Sequence, residues 1–77
     1  MLTINIKIGK IGFIEEGDMK GWYMRVDDDT INTGGFLILY NFCPDMSSSS
    51  GYDDWVENKE SLKDFFEESS WNITWLE

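Results

Sequence analysis

Asn58-Lys59-Glu60-Ser61-Leu62-Lys63-Asp64-Phe65-Phe66-Glu67-Glu68-Ser69-Ser70-Trp71-Asn72-Ile73-Thr74-Trp75 changes its hydrophobic period partway along. Leu62, Phe65 and Phe66 recur at i, i+3 and i+4, a spacing that puts all three on one side of a helix. Trp71, Ile73 and Trp75 then alternate with Asn72 and Thr74, the two-residue period of a strand. Asn58 is suited to cap a helix start and Ser69-Ser70 to end it, so the spacing predicts a helix over about residues 58–69. Glu60 near the start suits the helix dipole, whereas Glu67 and Glu68 near the end oppose it by about 0.3–1 kcal/mol each if exposed. Packing of the two Phe rings must therefore hold the helix. One amphipathic helix, in a chain with neither Ala nor Gln, argues against a helical bundle.

Working back from the helix, the remaining segments read as strands. Tyr52 to Val56 makes a short one. Phe36 to Phe42 is apolar on both faces through Tyr40, the pattern of a strand inside a sheet with something covering each side, and Pro44 ends it. Asp45 to Gly51, with Ser47 to Ser50 at its centre, reads as a mobile surface loop. Trp22 to Val26 forms another strand, with Trp22, Met24 and Val26 on one face, stopping at the self-repelling run Asp27-Asp28-Asp29. Ile11, Phe13 and Ile14 make a short optional strand before the turn Glu15 to Asp18, and Leu2, Ile4, Ile6 and Ile8 alternate as the first strand.

The fold expected for residues 1–77, read as a single domain, is α+β. It has a twisted, mostly antiparallel sheet of four to five strands with one amphipathic helix packed on a face. A small, partly open β-barrel with one helix is the alternative. The expected core is Ile4, Ile6, Ile8, Trp22, Met24, Val26, Phe36, Ile38, Leu62, Phe65, Phe66, Ile73 and Trp75.

Fifteen acidic against 6 basic residues give a net charge of −9, which opposes nucleic acid as a partner, because phosphate contacts need Lys and Arg in excess. Without His and with the single Cys43, the chain lacks the usual general base, most zinc ligand sets and an internal disulfide. Asp27 to Asp29 lacks the spacing of a calcium loop, and the adjacent Asp53 and Asp54 would point to opposite faces of a strand. Catalysis, a cofactor and a metal are accordingly not expected. No leader-like or membrane-spanning apolar run is visible, and a lone cysteine suits a reducing compartment, so the cytoplasm is the expected location.

Folding explains the surplus of carboxylates least. A charged surface speeds encounter with an oppositely charged protein, and acids around an aromatic anchor suit an interface hot spot. Tyr52, Asp53, Asp54, Trp55 and Glu57 fit that arrangement best, followed by Asp27, Asp28 and Asp29. The expected partner is a basic protein, with no nucleic acid and no membrane. Rival readings are a small-ligand or carbohydrate-binding module using an exposed Trp such as Trp55 or Trp71, and a regulatory domain that dimerises through a sheet edge.

In Gly21 to Asp29, Gly34 to Leu39 and Tyr52 to Glu57, the chain resembles the small acidic immunity proteins of bacterial toxin–immunity systems. The likeness is one of size, charge and layout, running loosely from Gly21 to Glu77. Those families differ in fold, so it transfers no residue roles. It implies a non-catalytic, stoichiometric inhibitor of a basic cognate toxin, often a nuclease or deaminase, acting by steric and electrostatic blockade.

Overall fold

The computed structural model describes residues 6–48 and 51–76. Its elements are β1 (Ile11–Glu16), β2 (Tyr23–Asp29), β3 (Gly35–Asn41), β4 (Tyr52–Val56), α1 (Lys59–Glu68) and β5 (Asn72–Trp75). The strands form one antiparallel sheet in the order β4-β3-β2-β1-β5. This is the expected α+β layout of a sheet with one helix on a face. The sheet is open, with β4 and β5 as its edges, so the barrel alternative is not adopted.

The helix begins where Asn58 accepts a hydrogen bond from the Ser61 amide, Oδ1 to N 2.7 Å, and Ser69 is its C-terminal cap. Ser70 then turns left-handed at φ 56°. Its amide donates to the Glu67 carbonyl and the Trp71 amide to the Phe66 carbonyl, the paired bonds of a Schellman ending. The apolar contact that accompanies such an ending is Trp71 against Phe66, edge to face with centroids 4.8 Å apart. One turn thus stops the helix and seats a tryptophan before β5.

Several sequence expectations need correction. Ile6 to Lys10 forms coil and turn rather than strand, tied to β2 by the Gly9 amide donating to the Val26 carbonyl at 2.7 Å. Ile6 packs against the core but Ile8 is 37% exposed, while Leu2 and Ile4 lie outside the described residues. The first strand of the described sheet is instead the optional one, extended through Glu15 and Glu16 because Glu16 pairs with Asn72 across a β-bulge. β2 does not stop at the aspartates; it pairs with β3 as far as Asp29 opposite Gly35. Trp22 and Phe42 fall just outside β2 and β3, stacked with ring centroids 3.6 Å apart.

A further correction bears on the site. β3 does lie between two strands, yet only one of its faces carries a covering layer. Ile14, Met24, Val26, Phe36, Ile38, Tyr40 and Val56 meet Leu62 and Phe66 of the helix, and each such side chain contributes roughly 1.5–3 kcal/mol on burial. Trp22, Phe65, Ile73 and Trp75, expected inside, are half-buried around this cluster. Ile14, Tyr40 and Val56 were not foreseen in it. Leu37 and Leu39 point to the opposite face, where no helix or strand among the described residues covers them.

Candidate protein-docking surface

Antiparallel register places directly opposed residues on the same face. On the face away from the helix this gives two rows: Ile11, Arg25, Leu39 and Asp53, then Asp27, Leu37 and Trp55. Phe13 and Tyr23 form a third pair, with ring centroids 5.0 Å apart. Apolar side chains thus run diagonally across a face flanked by carboxylates. The helix-side rows hold Met24, Tyr40 and Tyr52; Val26, Ile38 and Asp54; and Asp28, Phe36 and Val56.

Strand alternation therefore divides the eight candidate residues. Asp27, Asp29, Asp53 and Trp55 belong to the uncovered face. Tyr52, Asp54 and Asp28 belong to the helix side, and Glu57 is exposed in the connection from β4 to α1. Asp53 and Asp54 point to opposite faces, as the strand geometry requires.

The three central aspartates are largely satisfied at home. Asp27 takes a forked pair of bonds from Arg25, 2.7 Å from Nε and 3.0 Å from Nη2, and this contact holds the guanidinium above its ordinary pKa. Asp28 accepts from the Thr30 hydroxyl and amide, which draws its carboxyl below the usual value. Asp29 accepts from the Asn32 side chain. Much of that run is thus turn chemistry. Asp53 and Glu57 differ, since no lysine or arginine among the described residues is within ion-pairing distance of either.

Trp55 neither enters the core nor caps the helix–sheet junction. Its indole Nε1 donates to Thr33 Oγ1 at 2.8 Å, and a Cβ built on Gly35 would come 2.6 Å from the ring. The ring therefore lies over Gly35 at the β2–β3 turn, held in place yet 48% exposed. Only glycine leaves room for it there.

At the other end of the face, the segment after β3 rises beside the sheet. Asp45 and Met46 join Arg25, Leu39 and Asp53 around a hollow of about 320 Å³. The buried side chain of Asn41 shapes this segment: its Oδ1 accepts from the Cys43 and Ser48 amides, while Nδ2 donates to the Ser48 carbonyl at 2.8 Å. The part of the serine loop through Ser48 is therefore pinned to β3.

Residues missing from the sequence-based candidates are Leu37, Leu39, Ile11, Phe13 and Tyr23. For Leu37 and Leu39 the signal was present, because β3 is apolar on both faces while the chain predicts a single helix to cover one. Among the described residues no cluster of three or more acidic or cysteine side chains is placed to hold a metal ion, and no helix is long and apolar enough to cross a membrane. No known protein family, curated protein or solved structure gives a match to this chain.

Proposed function

We propose that the chain is a non-catalytic docking protein that acts as a cytoplasmic bacterial immunity protein. In this reading it neutralises a basic cognate toxin, nuclease-like or deaminase-like, by covering the toxin's active site. The observation that supports it is the uncovered sheet face, where Leu37, Leu39 and Trp55 lie beside the unpaired carboxylate of Asp53. An apolar centre excludes water at an interface, and charge at its margin steers the encounter. A net charge of −9 selects a positively charged partner.

Co-expression tests this. The neighbouring gene should encode a polypeptide whose basic C-terminal domain arrests a host cell when expressed alone, and this chain should restore growth. Light scattering of the purified mixture should show a 1:1 complex. Arrest that the chain fails to relieve, with no complex formed, overturns the proposal.

A further inference from the structure

On the helix side of the sheet, between the end of α1 and the β4 edge, lies a groove of about 500 Å³. Tyr40, Tyr52, Phe65 and Trp71 supply its aromatic walls, and Asp18 and Asp54 supply carboxylates, while Asp53 borders it with its side chain on the opposite face of β4. No lysine or arginine among the described residues lines it. Trp71 stands at 73° to Tyr40 and at 63° to Phe65, with centroids 5.9 and 5.5 Å away. Rings at such angles meet as walls rather than as a stack.

Two of these groups are already fixed. The Trp71 indole Nε1 donates to the Asp18 backbone carbonyl, and Asp54 Oδ2 accepts from the Tyr40 hydroxyl at 2.9 Å. An incoming ligand therefore need not order them, which removes part of the usual cost of binding.

The chemistry of the lining narrows the ligand. An anion is repelled by the two carboxylates, and a hydrocarbon would strip water from them without return. A cation is attracted by the carboxylates and by the aromatic faces together. Among cations, a guanidinium is flat enough to lie against a ring and carries donors arranged for a carboxylate, whereas an ammonium offers only a compact point charge.

We propose that this groove binds the guanidinium group of an arginine side chain. The inference deepens the docking reading and rests on it for the natural source of the arginine. It is tested on the free chain, so either can fail alone.

The experiment titrates the full ¹⁵N-labelled chain with N-acetyl-arginine amide at low ionic strength, with the citrulline and lysine analogues in parallel arms. The Trp71 indole resonance and the Asp18 and Asp54 amides should shift saturably, with arginine bound about tenfold more tightly than the uncharged citrulline analogue. Asp54→Asn keeps an acceptor for Tyr40 and so preserves the wall; with an otherwise unchanged spectrum it should weaken arginine binding about threefold. Citrulline binding equal to arginine, shifts centred on Trp55 instead, or no effect of Asp54→Asn each overturn the proposal. A lysine analogue that binds as well as arginine overturns the guanidinium assignment.

Discussion

The phenol of Tyr40 donates to Asp54 Oδ2 across the β3–β4 ladder at 2.9 Å, with the Tyr40 residue 4% exposed. Burial first and the neighbouring carboxylate second raise its pKa far above the ordinary 10.0. The folded chain keeps this proton after the unfolded chain has begun to lose its own. Stability from Tyr40 is therefore complete below about pH 10 and is lost progressively above it. Urea midpoints taken from pH 8 to 11 should fall above pH 10, and Tyr40→Phe should flatten that fall while costing about 1 kcal/mol at pH 7. An unchanged alkaline slope in the variant would assign the fall to other groups.

Asn41 is 5% exposed and satisfies three backbone groups of the segment after β3. Asn41→Asp keeps the shape but turns a donor into an acceptor facing the Ser48 carbonyl. It should cost about 2 kcal/mol or more, because a charge is buried at residue 41 and the Ser48 carbonyl loses its donor. Chemical denaturation measures the cost. A loss below 0.5 kcal/mol, a scale set by ordinary surface substitutions, would show that the loop rearranges freely.

Ser70 is left-handed with an ordinary side chain, a conformation that favours glycine. Ser70→Gly should stabilise the fold by about 0.5–1 kcal/mol. Gly17 presents the reverse case. Its φ is 98°, and a Cβ there would lie 2.5 Å from the Ser69 and Ser70 carbonyl oxygens. Gly17→Ala should therefore destabilise by about 2 kcal/mol or more. Thermal melts of the two variants should move in opposite directions.

Leu37 and Leu39 are half-buried on a face without a covering layer, whereas Ile38 between them is fully buried. Leu37→Thr and Leu39→Thr should each cost only about 1 kcal/mol, since threonine suits strands. Ile38→Ala should cost about 2–5 kcal/mol. The leucine variants should fold and yet lose complex formation with the partner by light scattering. Retained binding would move the interface elsewhere.

Charge reversal at Asp53 and Glu57 leaves the Tyr40–Asp54 bond untouched. Asp53→Lys with Glu57→Lys should slow association with a basic partner by about tenfold or more at low salt and leave the far-ultraviolet spectrum unchanged. Stopped-flow rates for the parent chain should fall as salt rises towards 0.15 M, where screening acts over about 8 Å. A salt-independent association rate would contradict electrostatic steering.

The helix could be read to within a residue because its period, its Asn58 cap and its Ser69-Ser70 ending all agree. Strand faces were also legible for Met24, Val26, Phe36 and Ile38, where alternation is strict. Alternation failed at Ile6 and Ile8 because the periodic pattern carries no information about pairing. Gly9 and its neighbours turn there, and β1 takes its place beside β2. The division of the eight acidic and aromatic candidates was partly legible, since alternation separates Asp53 from Asp54. Which side the helix would cover was not. The neutralisation of Asp27 by Arg25 was equally hidden, because two residues apart on a strand share a side only once that strand exists.

Strand β1 lies between β2, its sequence neighbour, and β5, which comes more than fifty residues later. During synthesis, that edge of the sheet waits for Asn72–Trp75 to leave the ribosome. A nascent chain that has already made its helix still carries a vacant ladder along Gly12 to Glu16. The interval before β5 arrives is when another strand, or a chaperone, has its best opportunity to bind there.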